Sequence, residues 1–204
     1  MSHYNKFYQC KKKDMTRAGI AAADAFQNDP MWAAILEAEP KEKLAICLEM
    51  ALRHCRKYGA VYGSDSSLEG LIAIVPGKVF NMNMWRMLWA GSFPLMAKMG
   101  NELGQKMSLY FDPLIKDQKK NMKGRNYIYL FILGVKKDSQ GKGIGGKLLR
   151  TLIADCDQKG LSIYLETETE QNVQLYEHFG FTIIKRTTLP DMKCPIWEMV
   201  REPQ

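Results

Sequence analysis

Several features that often announce a function are scarce in this chain. Only three histidines occur among its 204 residues. Histidine, cysteine and carboxylate are nowhere spaced as metal ligands, so no metal is expected. The five cysteines, Cys10, Cys47, Cys55, Cys156 and Cys194, are odd in number and form no C-x-x-C pair. That pattern argues against a disulfide framework and fits buried free thiols in a reducing compartment. The longest nearly unbroken apolar stretch, Tyr127 to Val135, is far too short to span a bilayer. The Met/Trp-rich region from Val79 to Met99 is interrupted by Arg86, Pro94 and Lys98. The first residues, Met1-Ser-His-Tyr-Asn-Lys, lack the apolar run of a secretory signal. The expectation is a cytoplasmic protein with no membrane partner. Repeats, low-complexity tracts and a clear interdomain linker are also absent.

Acidic balance is missing too, because the formal net charge is +7. A basic chain can meet nucleic acid, a membrane surface or an anionic small ligand. The densest basic run, Lys116, Lys119, Lys120, Lys123 and Arg125, is not interleaved with aromatics as a single-strand binder's would be. It reads as a solvated loop, or as a basic rim near a polyphosphate site, and no nucleic-acid partner is expected. Apolar residues make up 46% and charged residues 25%, enough for a globular core in one domain over residues 1–204.

Phe7 to Lys13 reads as a short strand, and Asp14 as the N-cap of an alanine-rich helix from Met15 to Phe26. Pro30 opens a short helix. Lys41 to Tyr58 has helical apolar spacing and ends at Gly59. Ala60 to Gly63 and Gly70 to Val75 read as strands. Residues 80 to 109 read as helical pieces broken at Gly91 and Pro94, followed by a polar basic segment. Tyr127 to Val135 is a buried strand, Gly141 to Gln158 a helix, Leu161 to Leu165 a strand, and Asn172 to Phe179 a short helix closed by Gly180. Phe181 to Arg186 and Ile196 to Val200 are the last strands, joined through Leu189-Pro190-Asp191. Strands alternating with helices make the C-terminal half α/β.

The informative segment runs Gly134-Val-Lys-Lys-Asp-Ser-Gln140-Gly141-Lys142-Gly143-Ile144-Gly145-Gly146-Lys147. It follows a strand and opens a helix. Glycines there let the backbone approach a ligand and leave N–H groups unhindered, while the helix N-terminus adds partial positive charge. Together these features favour an anion, above all phosphate. Three signatures overlap on it. A P-loop fails because Leu148 follows Lys147, where a hydroxyl should hold Mg²⁺. A dinucleotide fingerprint, with Glu166 as its ribose-binding acid, fails on placement. Lys136 to Gln140 separates the strand from the first glycine, and too little chain remains for a doubly wound sheet. The third signature is Gln140-x-x-Gly143-x-Gly145.

With that third signature, the sequence resembles the GCN5-related N-acetyltransferase family over residues 127 to 186. Tyr129-Leu-Phe-Ile-Leu-Gly-Val135 is similar to the family's fourth strand, Gln140 to Gly145 to its pyrophosphate loop and Leu165-Glu-Thr167 to its fifth strand. Asn172-Val-Gln-Leu-Tyr176-Glu-His-Phe-Gly-Phe181 is similar to its Asn…Tyr-x-x-x-Gly-Phe element. Gln-Gly-Lys-Gly, Leu-Glu-Thr and Trp197-x-Met199 are similar in style to the puromycin N-acetyltransferase-like branch. The resemblance implies a mixed α/β (α+β) fold: a strongly twisted six- to seven-stranded sheet flanked by helices, with splayed central strands. Residues 1–126 would carry the substrate-side helices, 127–186 the acetyl-CoA-binding core, and 187–204 the last strand.

The resemblance also implies acetyl-CoA as cosubstrate. Leu133, Gly134 and Val135 would pair with its pantetheine arm, with Val135 directing an N–H at the thioester carbonyl. Gln140, Gly141, Lys142, Gly143, Ile144, Gly145 and Gly146 would hold the pyrophosphate, and Asn172 would bond the pantetheine arm. Lys142, Lys147 and Arg150 are placed to meet phosphates. Tyr176 resembles the general acid that protonates the leaving thiolate. Direct transfer also needs a base for the amine. Glu166 leads here, with Glu168, Glu69 and Asp29 as other candidates, while His3, His54 and His178 are weak ones. Met82, Met84, Trp85, Met87, Trp89 and Phe93 either pack between helices or line an adaptable apolar pocket. The activity this implies is transfer of acetyl to the primary amine of a small molecule. A non-catalytic acyl-CoA-binding module and a protein amine substrate remain alternatives, and the family often forms homodimers.

Overall fold

The computed structural model describes residues 3–37, 39–188 and 195–204. Seven strands form one mixed sheet. In chain order the elements are β1 (Tyr8–Gln9), α1 (Met15–Ala25), α2 (Pro30–Leu36), α3 (Lys41–Tyr58), β2 (Ala60–Gly63) and β3 (Gly70–Pro76). Then follow α4 (Met84–Trp89), α5 (Phe93–Met99), α6 (Asn101–Asn121), β4 (Tyr127–Val135) and α7 (Ile144–Lys159). The chain closes with β5 (Ser162–Thr167), α8 (Glu170–His178), β6 (Thr182–Thr187) and β7 (Ile196–Arg201). The sheet order is β1-β2-β3-β4-β5-β7-β6. Every neighbouring pair is antiparallel except β4 and β5.

Helices cover both faces, which explains why β3 is apolar throughout rather than alternating. Leu71, Ala73 and Val75 meet Met15, Ala18 and Ala22 of α1 and Leu48 and Leu52 of α3. Ile72 and Ile74 face the other way, onto Leu148, Leu149 and Leu152 of α7. The small residues of α1 let it lie close on the sheet: a Cβ on Gly134 would come within 2.9 Å of Ala25.

Two irregularities shape the centre of the sheet. Ala73 pairs with Ile132 and Ile74 with Leu130, so Phe131 is an extra residue in β4. Such a bulge bends its strand and increases the local twist. On its other edge β4 pairs with β5 only over Tyr127↔Ser162, Ile128↔Ile163 and Tyr129↔Tyr164. Beyond that point both strands continue without pairing to each other, and a cleft opens between them.

Several expectations need correction. The first strand is only Tyr8–Gln9, and a 3-10 turn over Lys12–Asp14 takes the rest of that segment. Asp14 makes no capping bond to α1. Its carboxylate accepts from Lys11 N–H at 2.8 Å and from Tyr8 Oη at 2.9 Å, holding the turn itself. The basic run is only partly a loop: Lys116, Lys119 and Lys120 ride on the end of α6, which continues through Pro113, while Lys123 and Arg125 lie in the turn that follows. Leu103, Tyr110, Leu114 and Gln118 provide the buried stripe that carries the helix past the proline. Pro94 likewise sits in the first turn of α5 rather than ending a helix. Helix α7 starts at Ile144, later than Gly141, because Gly141 and Gly143 adopt left-handed φ of 77° and 74°. The connection through Leu189-Pro190-Asp191, and Cys194, lie outside the described residues. Cys10, Cys47, Cys55 and Cys156 are buried free thiols.

Gly59 is required for close approach rather than for a left-handed turn. A Cβ there would sit 2.0 Å from the carbonyl oxygen of Ile74. Gly59→Ala is expected to destabilise the chain by roughly 1–3 kcal/mol. A lower urea midpoint with unchanged slope would register this; an unchanged midpoint would show that α3 and β3 can part there at no cost.

Candidate active site

The bottom of the β4–β5 cleft is built from carboxyls and phenols. On β5, residues 164 and 166 share one face, and Glu168 follows just past the strand end. Tyr164 Oη lies 2.8 Å from Glu166 Oε1, and Tyr129 Oη of β4 donates to Glu166 Oε2. Glu166 is surrounded by protein yet keeps some solvent exposure, as a group at the bottom of a cleft does. Burial pushes its carboxyl up from 4.5 to about 7, while the two tyrosine hydroxyls pull it down. Two residues on, Glu168 is pushed well above the carboxylate range by burial and then by the charge of Asp29. Asp29 is the N-cap of α2 and accepts from Trp32 N–H at 3.0 Å. Burial raises it as well, and a hydrogen bond with Glu168 opposes the rise. Asp29 and Glu168 therefore form a proton-sharing pair beside Glu166, with the proton held on Glu168. Glu69, the remaining carboxylate candidate, lies before β3. The contact recorded for it is its own carbonyl accepting Lys136 N–H at 2.8 Å.

Tyr176, on the buried side of α8, packs on Phe181 with ring centroids 5.4 Å apart. Burial, and after it the charge of Glu168, push its phenol above the ordinary range. Tyr176 and Glu168 thus feel each other across the cleft end. Asn172 is half-buried in the first turn of α8, and its N–H donates to the capping Thr169 Oγ1 at 3.2 Å.

At the far end of β4, Leu133, Gly134 and Val135 are partly exposed. The chain then turns through Lys137–Ser139. Gln140 reaches back from Nε2 to the Val135 carbonyl at 3.1 Å. No atom lies within 4 Å of where a Cβ would sit on Gly141 or Gly143. Their left-handed backbones and this open space leave a main-chain cradle. The first-turn amides of α7, at Ile144, Gly145 and Gly146, have no partners within their own helix. Lys147 and Arg150, on the first two turns of α7, line a small cleft of ≈ 230 Å³ with His3 and Lys6. Arg150 also lies over the Phe179 ring at 5.6 Å. Lys142 Nζ is 3.5 Å from Ser139 Oγ.

Other candidates fall away from this centre. His54 is buried in α3, Nε2 2.9 Å from the Val79 carbonyl, and burial drives it down to about 4. It is therefore neutral at physiological pH. His178 and His3 are exposed. No group of three or more metal-ligating side chains occurs among the described residues, and no helix among them is long and apolar enough to cross a membrane. Met82 and Met87 pack against the core. Core packing fails for Met84, Trp85, Trp89 and Phe93, which are 57%, 73%, 73% and 63% exposed. Sequence reasoning missed Tyr129 and Tyr164, whose hydroxyls bond Glu166, and Glu198, which meets the Tyr164 hydroxyl from the other side. The signal for Glu198 was a lone glutamate inside the apolar run Ile196-Trp-Glu-Met-Val200.

The sequence model of the Acetyltransferase (GNAT) family matches residues 90–181. An "uncharacterized N-acetyltransferase" of Schizosaccharomyces pombe is 28% identical over 200 residues, 94% of this chain and 81% of that protein. The fold is similar to an N-acetyltransferase from Staphylococcus aureus (TM-score 0.66, 16% identity, 95% of this chain and 98% of that one). It is also similar to a Corynebacterium glutamicum structure described as a histone acetyltransferase and related acetyltransferase (TM-score 0.65, 19% identity, 98% and 96%). Arylalkylamine N-acetyltransferase 2 from Aedes aegypti is a third (TM-score 0.62, 13% identity, 97% and 98%).

The raised Glu166 has a stability consequence. Between about 4.5 and about 7 the folded chain holds a proton that the unfolded chain has lost, so Glu166 makes folding less favourable as pH rises through that window. His54 acts with opposite sign: stability falls as pH drops from 6.5 toward about 4. Because the two windows overlap, the informative quantity is the difference between Glu166→Gln and wild type. The variant is expected to be more stable at pH 8 by roughly 1–3 kcal/mol, with the gap closing near pH 4. Urea denaturation at both pH values measures it, and a gap independent of pH would contradict the assignment.

Proposed function

We propose that the chain is a GNAT acetyltransferase, as the family model over residues 90–181 and the N-acetyltransferase relative support, and that it moves an acetyl group from acetyl-CoA directly to the primary amine of a small molecule. The observation that carries this reading is Glu166. Its carboxyl, brought to about 7, lies where β4 and β5 part, one strand end away from an open main-chain anion cradle. A base poised near the working pH is what removal of an ammonium proton requires.

The cradle fits a diphosphate. Gly141 and Gly143 leave space where any side chain would intrude, and the N–H groups from Gln140 to Gly146 supply donors at a helix start. Lys142, Lys147 and Arg150 add cationic charge around it. When bound, acetyl-CoA supplies an acyl group activated as a thioester. Leu133, Gly134 and Val135 present the free edge of β4 to the pantetheine amides as an added strand would, and Asn172 bonds the arm from α8. The Val135 N–H donates toward the acyl oxygen. Tyr176 holds a proton for the departing sulfur, and its raised pKa keeps that proton in place until charge develops there.

On the amine side, Glu166 takes the proton. An alkylammonium near 10 and a base near 7 differ by about 3 units, roughly 4 kcal/mol, a small part of an enzymatic barrier. Asp29 and Glu168 add negative charge beside it, which favours a cationic alkylamine over a neutral acceptor. We take residues 1–204 as a single acetyltransferase domain, with the helices of residues 1–126 forming the amine side.

A panel of alkyl, arylalkyl and polycationic amines, screened with acetyl-CoA for released thiol, is expected to reveal at least one substrate. If no amine releases thiol while coenzyme A binds, the non-catalytic binding module stands instead. With the best amine, Glu166→Gln should lower kcat/KM by about 10²–10⁴-fold and abolish an acidic limb near pH 7. Tyr176→Phe should lower kcat by about 10²-fold or more, leaving the KM for acetyl-CoA within about twofold. Unchanged turnover in either variant would remove that residue from the chemistry.

A further inference from the structure

One buried acid has no place in the chemistry above. Glu198, in the middle of β7, is fully buried and lies directly across from Glu166 of β5. Its Oε2 accepts from Asn121 Nδ2 at 2.8 Å and lies 3.0 Å from Tyr164 Oη. Its Oε1 is buried and makes no hydrogen bond. The nearby cation, Lys185 of β6, is committed to an ion pair with Asp117.

The Tyr164 hydroxyl therefore touches two carboxyl oxygens, Glu166 Oε1 at 2.8 Å and Glu198 Oε2 at 3.0 Å. A phenol has one hydrogen. If both glutamates were ionised, one of these contacts would be a bare approach of two oxygens in a buried site, which is strongly unfavourable. The second hydrogen must come from a carboxyl. Glu166 has a charge-stabilising phenol donor in Tyr129, on its second oxygen, and some contact with solvent; Glu198 has only the Asn121 amide, on the same oxygen that meets Tyr164, no solvent, and an orphaned second oxygen. An orphaned carbonyl oxygen of a neutral acid costs far less than an orphaned oxygen of a carboxylate.

From this geometry, and resting on Glu166 as the base, we infer that Glu198 is a positioning residue: it keeps its own proton, donates it to Tyr164 Oη, and so commits the single hydrogen of Tyr164 to Glu166. Glu166 then receives two phenolic hydrogen bonds, from Tyr129 and Tyr164. Those bonds stabilise the carboxylate against its burial and keep it from drifting too high to serve as a base at neutral pH. Burial raises the Glu198 carboxyl, while Asn121 and Tyr164 pull it down. The other ionisable groups around these hydrogen bonds are Tyr127 of β4, Glu168 just after β5 and Asp29 at the start of α2 on the Glu166 side. On the Glu198 side they are Asp117 of α6 and Lys185 of β6.

The test is a carbon-13 NMR titration of the full chain labelled at the glutamate carboxyl carbons, with Glu166 and Glu198 assigned by their Gln variants. No amine substrate is needed. The Glu198 signal is expected at the protonated position at pH 7. Tyr164→Phe, which deletes one oxygen from the core, should raise the Glu166 midpoint by about 1 unit, the worth of a hydrogen bond to a charged group. Glu198→Gln keeps a donor toward Tyr164 and should leave that midpoint within about 0.3 unit. An ionised Glu198 signal at pH 7, a Glu166 midpoint unmoved in Tyr164→Phe, or one that falls by about a unit in Glu198→Gln would each overturn the inference. Glu198→Gln is the variant at risk of misfolding, and Tyr164→Phe with the wild-type Glu198 signal decides the matter without it. Failure of Glu166 as the base would show separately, as retained turnover in Glu166→Gln, and would leave this titration intact.

Discussion

Strands β4 and β5 hydrogen-bond over three residue pairs and then part, and the chemistry of the site follows from that separation. A β-strand whose neighbour has left carries main-chain donors and acceptors that need partners. Sheet edges are usually shielded, yet here the parting lies in the middle of a seven-stranded sheet. Its local cause is visible on β4. The extra residue Phe131 falls just after the last paired residue, Tyr129, so the strand bends where its partner is lost. The same parting leaves Glu166 at the foot of a cleft instead of beneath a continuous sheet, and it turns the end of β4 toward the glycine cradle before α7.

The electrostatics of the cleft depend on incomplete solvation. Asp29, Glu166 and Glu168 converge without a cation among their recorded partners, and burial moves each of them toward the neutral form. A protein built for stability alone would avoid this arrangement. It is tolerable because protons are shared and because tyrosines line the carboxyls, so that hydroxyls stand in for water. The two faces of β5 divide the work. Tyr164 packs with Met122, Tyr127 and Val200 on one face, while Ile163 and Leu165 bury themselves against α7 and α8 on the other.

Much of the fold was legible in the sequence because its strongest signals are local. Gly141 and Gly143 stand out where a strand meets a helix, and both adopt the left-handed backbone that glycine tolerates best. The apolar run Tyr127 to Val135 is a strand over those same residues. Helix α6 was less legible, since Pro113 and the lysines hide a buried stripe whose partners are distant in sequence. Asp14 looked like a helix cap, but its carboxylate accepts from Lys11 N–H, Tyr8 Oη and the Arg17 side chain and from no main-chain N–H of α1. In the cleft, Glu166 was readable from its place at a strand end. Its environment was not, because Tyr129, Tyr164 and Glu198 come together only through cross-strand neighbours on β4, β5 and β7. The exposed aromatics Trp85, Trp89 and Phe93 gave a misleading signal: their spacing suits packing between helices, yet no residue of α4 is buried.

The central claim is that the backbone entering α7 grips a diphosphate beside the cleft. Calorimetric titration of coenzyme A into the folded protein, and into Gly143→Ala, tests it most directly. A methyl at Gly143 would be strained at φ 74° and would occupy space that is now open. The predicted result is saturable binding at one site in wild type, weakened at least about tenfold in the variant, since left-handed strain of 1–2 kcal/mol adds to the steric block. Absence of heat in well-folded wild type, or equal affinity in the two proteins, would contradict it.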